Sequence, residues 1–266
     1  MEDLVSKALE AALSRIPEIK SRYESVSSDL GLPLAKSPEW QDRLAGWGGD
    51  WPGSLASVSL DVAVEHLFTW YVLGTPPAAT IPTHAHLTLL RSAIECAVQA
   101  RWFLDIGTTS DVRIARALGA RFSNLDWSRK VEADIAADRQ SEPGFTEPEP
   151  DAAEKIRALK VKAGEVHISP LEIPNTVDLL KRYPQGSGVS DVLWWRYTSG
   201  VAHGQMWAAL QGEREVVRAG ATMTQYKESA NETVAAVLTS VASRRVERAI
   251  HELHLYREPP SQRAQP

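Results

Sequence analysis

Apolar residues recur every three or four positions along most of this chain, which predicts helices almost throughout. Over 3–27 the recurrence runs through Val5, Leu9, Ala12, Ile16, Ile19 and Tyr23, with Pro17 placed to bend or split the helix. Residues 29–53 break the pattern: Pro33, Pro38, Gly46, Gly48, Gly49, Pro52 and Gly53 surround Trp40, Trp47 and Trp51. That composition predicts an irregular arm that folds over the body by burying its indoles. Helical periodicity resumes over 55–73 through Leu60, Val64, Leu67, Phe68 and Tyr71, and Gly74-Thr75-Pro76-Pro77 stops it. Thr83 then reads as the cap of a helix from His84 to about Asp105, and Thr109 or Ser110 as the cap of one running to about Ala137.

The stretch Ser141-Glu142-Pro143-Gly144-Phe145-Thr146-Glu147-Pro148-Glu149-Pro150 is acidic, proline-rich and linker-like. A charged helix over 151–163 and a short one over 175–183 follow, then the helical stretch that holds Arg196 and His203. Residues 212–222 are compatible with a short hairpin, and a final helix is expected from Gln225 to Tyr256, with a disordered tail beginning at Pro259-Pro260. No alternating strand pattern and no internal repeat stands out. The expected architecture is an all-α helical bundle: residues 1–53 form a helix and a Trp/Gly/Pro-rich arm, and 54–257 the helical domain. The acidic, proline-rich loop is part of an insertion at about 141–175, and 258–266 form the tail.

At 266 residues the chain is long enough to bury a substantial core. Its net charge of −5 argues against a surface that grips nucleic acid everywhere, but leaves room for a local basic site built from a few arginines. The single cysteine, Cys96, sits in an apolar helical pattern and has no partner for an intrachain disulfide, which favours a reducing cytoplasm. Met1-Glu2-Asp3-Leu4 lacks the basic start and apolar run of a signal peptide, and Val62–Leu73 is too short to span a bilayer, so no membrane association is expected.

The most informative stretch is Leu193-Trp194-Trp195-Arg196-Tyr197-Thr198-Ser199-Gly200-Val201-Ala202-His203-Gly204-Gln205-Met206-Trp207. On a helix, seven residues turn through about 700°, which returns Arg196 and His203 to one face within roughly 20°. Ser199, Gly200, Ala202 and Gly204 leave that face open to close approach, and Gly200 and Gly204 suit a tight packing site or a helix break that re-aims His203. A guanidinium and a titratable imidazole on one groove suit an anionic substrate such as a phosphodiester. Spacing alone is weak, since Arg244 and Arg245 also precede His251, and Arg248 precedes His254. These arginines read as a solvated basic edge. Arg196 and His203 also admit a bland reading, as polar groups satisfied within a tight helix–helix contact.

Arg91 and Glu95 stand four apart on the preceding helix. Either they form a surface ion pair, or they turn inward, with Glu95 orienting Arg196 or His203 and Arg91 supplying a second phosphate contact. His84-Ala85-His86 invites a metal reading, in which His86 joins Glu95 or His203, although helix-start histidines are more often capping or surface groups. The chain contains no HExxH, no Gly-rich phosphate loop, no G-x-S-x-G and no dinucleotide fingerprint, so no metal or cofactor is expected. Trp194, Trp195 and Trp207 read as packing residues or as platforms for bases or a dimer partner.

An arginine, six residues and a histidine late in an all-α bundle resembles the HEPN superfamily. The string from Trp195 to Gly204 looks like an uncharacterised bacterial branch with an R…S…HG pattern. An upstream helix matches as well, with Arg91 and Glu95 followed by Trp102, Phe103 and Asp105. The resemblance covers 83–257, apart from the insertion, and implies a cytoplasmic, metal-independent endoribonuclease of a toxin or phage-defence setting. It implies RNA as substrate, a homodimer with 190–211 near its interface, and an antitoxin or regulatory protein as a further partner. Arg196 would bind the phosphate and His203 would move the proton, with Arg91, Glu95, Ser199 and Trp195 around them. Tyr197 stands where active members often carry a small polar residue, which favours the alternative of a non-catalytic HEPN-like binding protein. A metal-dependent hydrolase using His84, His86 and Glu95 is the third possibility.

Overall fold

The computed structural model describes residues 2–28, 33–45, 51–76, 81–140, 142, 151–185, 190–205, 213–219, 224–229 and 231–262. Helices α1 (Glu2–Ser14), α2 (Ile16–Ser27), α3 (Pro38–Leu44), α4 (Trp51–Gly74) and α5 (Ala85–Leu104) come first. They are followed by α6 (Ser110–Arg139), α7 (Asp151–Glu165), α8 (Thr176–Arg182) and α9 (Asp191–Ala202). Strands β1 (Glu213–Ala219) and β2 (Thr224–Ser229) pair antiparallel before α10 (Glu232–Arg257) closes the bundle. The protein is an all-α bundle that carries one short hairpin.

The core is built on α4, α5 and α10, with α1 and α2 packed on α10, and α8 and α9 on α5. Helix α5 buries Leu87, Leu90, Ala93, Ile94, Ala97 and Val98, the three-and-four recurrence that makes one continuous apolar face. Small residues along α10, among them Ala235, Ala242, Ser243 and Ala249, are buried at the same interface and keep the helix axes close. Trp70 is fully buried in this core, and its indole N–H donates to Thr239 Oγ1 at 2.8 Å, so the ring is buried without an unmet donor.

Pro17 splits the first helix, one of the two outcomes expected of it: Arg15 separates α1 from α2, and Pro17 occupies the first turn of α2, where a missing N–H costs nothing. Several other local expectations are corrected. The arm contains a helix, α3, capped by Ser37, whose hydroxyl accepts from Trp40 N at 3.1 Å. Its anchor is polar: Ser37, Glu39 and Asp42 are buried, whereas Trp40 and Trp51 are only half-buried and Trp47 lies outside the described residues. His84, not Thr83, caps α5, and it does so without a side-chain bond. Residues 224–229 extend the hairpin into the span assigned to the last helix, which starts at Asn231, whose side chain accepts from Val234 N at 3.0 Å. Beyond α10 the tail keeps structure for a few residues, because Pro259 is buried and Pro260–Gln262 form a 3-10 turn. Most of the acidic stretch 141–150 falls outside the described residues.

The insertion packs as a satellite unit. Ile114 and Leu118 of α6 meet Leu159 of α7, with Phe122, Val166 and Ile168 around them. The segment after α7 returns across α6 so closely that Leu171 N donates to Ala115 O at 2.9 Å. A Cβ at Gly119 would lie 1.8 Å from the Leu171 carbonyl oxygen, and a backbone atom cannot swing aside. Gly119→Ala is therefore expected to cost about 2–3 kcal/mol in chemical unfolding, at the upper end for overpacking. A change below 0.5 kcal/mol would show that the segment lifts off α6 without penalty.

Candidate functional site

Helix α9 carries the Arg–His stretch. Its first turn is held by Asp191, whose Oδ2 accepts from Arg245 Nε of α10 at 2.8 Å and also from the second terminal nitrogen of that guanidinium. Thr198, Gly200 and Val201 are buried, and Thr198 returns its hydroxyl proton to the carbonyls of Trp194 and Trp195. Other positions of α9 are open: Leu193 is 57 % exposed, Arg196 and His203 are exposed on one side, and Ala202 is exposed at the helix end.

The helix ends through its own backbone. His203 is the C-cap and Gly204 takes φ +63°, the left-handed conformation that glycine adopts without steric cost. Gly204 N donates to Val201 O at 2.9 Å, and Gln205 N donates to Gly200 O at 2.8 Å, which satisfies two terminal carbonyls. The His-Gly pair is thus a helix stop that sets the imidazole at the end of α9. Neither the Arg196 guanidinium nor the His203 imidazole makes a hydrogen bond or ion pair with a described residue. Both side chains are exposed, so neither is sealed within a tight helix–helix contact.

Arg91 and Glu95 do form the i, i+4 pair, with Arg91 Nε donating to Glu95 Oε1 at 3.0 Å. The same carboxylate oxygen accepts from Trp195 Nε1 at 2.7 Å, and the Arg91 guanidinium lies 5.5 Å from the Trp195 ring centroid. Glu95 therefore orients Trp195, the neighbour of Arg196, rather than Arg196 or His203. The three side chains bolt α5 to α9 and fix the rotation of α9, which is what keeps the Arg196 face outward. Ser199 is half-buried, and its hydroxyl has no partner among the described residues. Trp194 packs edge-on against Tyr197 at 6.4 Å, and Trp207 lies outside the described residues. Burial raises the Tyr197 phenol above its ordinary range.

Comparison with family models, curated proteins and solved structures finds no match.

His84 and His86 do not converge with Glu95 as ligands. Among the described residues, no three His, Cys, Asp or Glu side chains gather closely enough to hold a metal ion. His86 is instead a core residue: its Nδ1–H donates to Pro82 O at 2.6 Å and its ring lies 5.2 Å from Trp70. Its Nε2 is buried without a partner. Burial lowers its pKa below the ordinary 6.5; the nearby His84 lowers it further, while the Pro82 carbonyl opposes the shift. The unfolded chain thus takes up a proton near pH 6.5 that the folded chain resists. Stability is fully present above that pH and is lost as pH falls below it. Burial lowers His251 in the same sense. The unfolding midpoint is expected to fall between pH 7.5 and 5.5, and less steeply in His86→Phe, which keeps a ring against Trp70. Equal slopes in the two proteins would remove His86 from the account.

Two polar assemblies lay beyond the sequence-based candidates. Asp105, at the end of α5, accepts from the Tyr183 hydroxyl at 2.9 Å and pairs with Arg116 at 3.3 Å. Burial and this carboxylate push the Tyr183 phenol up to about 12, so it remains a proton donor. Arg245, assigned to a solvated edge, is buried on Asp191. Its neighbours Arg244 and Arg248 stay exposed and line a cleft with Arg15, Arg22, Gln185 and His251. Their recurrence at i, i+4 and i+7 on α10 was legible, whereas the residues facing them come from helices far away in sequence.

Proposed function

We propose that this protein is a HEPN-like, metal-independent endoribonuclease that acts as a homodimer through the exposed face of α9. The observation that carries the reading is the state of Arg196 and His203: a guanidinium and an imidazole on one helix, both exposed and both without a partner among the described residues. Exposed on the helix surface, both groups are open to an anionic ligand. Leu193, about 60° round the helix from Arg196, supplies apolar area that a second copy of α9 would cover.

The chemistry follows from those two groups. Neutral His203 accepts the proton of an RNA 2′-hydroxyl as its oxygen attacks the adjacent phosphorus, and Arg196 neutralises the charge growing on the phosphate oxygens. The bond to the 5′-oxygen breaks as that oxygen takes up a proton, leaving a 2′,3′-cyclic phosphate and a 5′-hydroxyl. Seven residues of helix rise about 10 Å, so the second half of the reaction is best served by the corresponding pair of the other protomer. The test is cleavage of single-stranded RNA by purified protein in excess chelator. Cleavage that persists there and disappears in Arg196→Ala and His203→Ala supports the reading. Cleavage unchanged in both variants overturns it. One observation favours a binding role instead: the face is open rather than sunk in a cleft. RNA or protein bound at α9 without any cleavage would select that reading.

A further inference from the structure

We propose that the cleft between α2 and α10 is a nucleotide-binding site, with the polyphosphate held by Arg22, Arg244 and Arg248 and the base edge by Gln185. It does not involve α9, so it stands whether or not the protein cleaves RNA.

The cleft has a volume of about 520 Å³, within the range of small-molecule sites. Among the described residues, four arginines line it, at 15, 22, 244 and 248, together with His251 and a single carboxylate, Glu247. Glu247 is already engaged, accepting from Arg15 at 2.7 and 3.0 Å in a two-pronged pair. Arg22, Arg244 and Arg248 form no hydrogen bond or ion pair with a described residue. Three uncompensated guanidiniums facing one cavity repel each other, in a chain whose overall charge is −5. A polyanion relieves that repulsion, and guanidinium forks match phosphate oxygens two at a time.

The second observation is Gln185. Both polar atoms of its amide, Oε1 and Nε2, are shielded from solvent and have no hydrogen-bond partner. Leaving a buried amide unmet is costly, and Gln185 lines the cleft, where a rotation of its side chain brings the amide to a ligand. An amide offers one acceptor beside two donors, the pattern that reads a nucleobase edge. His251 completes the lining; in the empty cleft, burial and the neighbouring Arg22 and Arg248 favour its neutral form, whereas Glu252 opposes them. It can then donate a single N–H to a phosphate or ribose oxygen.

The experiment is calorimetric titration of the full chain at fixed salt with ATP, with inorganic pyrophosphate and with a 5′-phosphorylated oligoribonucleotide. ATP is expected to bind, and Arg244→Ala/Arg248→Ala to weaken it at least tenfold while the melting temperature stays unchanged, since both side chains are exposed. Gln185→Leu should weaken ATP but not pyrophosphate. ATP affinity should be the same in Arg196→Ala, which separates this site from the α9 face. Binding of the oligoribonucleotide that is lost in the Arg244→Ala/Arg248→Ala variant would place the nucleotide at the end of an RNA chain rather than free. The proposal is overturned if no probe saturates, if the double variant binds ATP as wild type does, or if pyrophosphate binds as tightly as ATP.

Discussion

Asp42→Ala is expected to cost about 3–5 kcal/mol of folding stability, as breaking a buried ion pair from one side does. Asp42 is 1 % exposed and faces Arg113, also buried, which donates from Nε at 2.9 Å and from a terminal nitrogen at 2.8 Å. The Tyr256 hydroxyl donates to the same carboxylate at 2.9 Å, and Arg113 also donates to Thr108 O at 2.6 Å. Helices α3, α6 and α10 therefore meet on one carboxylate. Without it, a guanidinium remains in the interior with one neutral acceptor, and the Tyr256 hydroxyl loses its hydrogen bond to Asp42. The arm between α2 and α4 also loses its deepest anchor. The loss should show in the urea midpoint, and Asp42→Ala/Arg113→Met should recover part of it, because the stranded charge is then gone. A single variant that loses less than 1 kcal/mol would mean that the arm is held by its half-buried indoles after all.

That pair marks the limit of what the sequence discloses. The helices of the bundle were legible because each buries one face, and a buried face writes a three-and-four recurrence into the chain. Leu87, Leu90, Ile94 and Val98 of α5 are visible in this way before any coordinate. Asp42 and Arg113 are 71 positions apart and carry no such signature, since their pairing depends on how the arm crosses α6. The same holds for Arg15 and Glu247, 232 positions apart. Helix boundaries were misplaced where a local rule met a tertiary one: Thr83 has the chemistry of a cap, yet His84 occupies the position, and Gln225 continues a helical pattern yet belongs to a strand. At α9 the glycines admitted a tight packing site or a helix break that re-aims His203; Gly204 is that break, whereas the rotation of α9 is set from outside, by Glu95 holding Trp195.

His203→Ala and Arg196→Ala are expected to lower RNA cleavage by about 10²–10⁴-fold and about 10²–10³-fold respectively, the ranges for a proton-transfer group and for a stabiliser of developing charge. The same variants should change unfolding free energy by no more than about 0.5 kcal/mol, because neither side chain is buried or paired with a described residue. Loss of rate without loss of stability separates a chemical role from a structural one. Arg196→Lys should keep only part of the rate, since an ammonium retains the charge but not the two-pronged fork on phosphate. Combining both alanines should cost little more than His203→Ala alone, because groups that act on one transition state are not additive. Glu95→Gln provides the internal control: it weakens the hold on Trp195 and lets α9 turn, so it should lower the rate modestly while the reacting groups remain in place. If Arg196→Ala and His203→Ala instead melt the protein and leave the rate per folded molecule intact, the α9 face is structural. The nucleotide cleft on α10 would then be the principal ligand site of the chain.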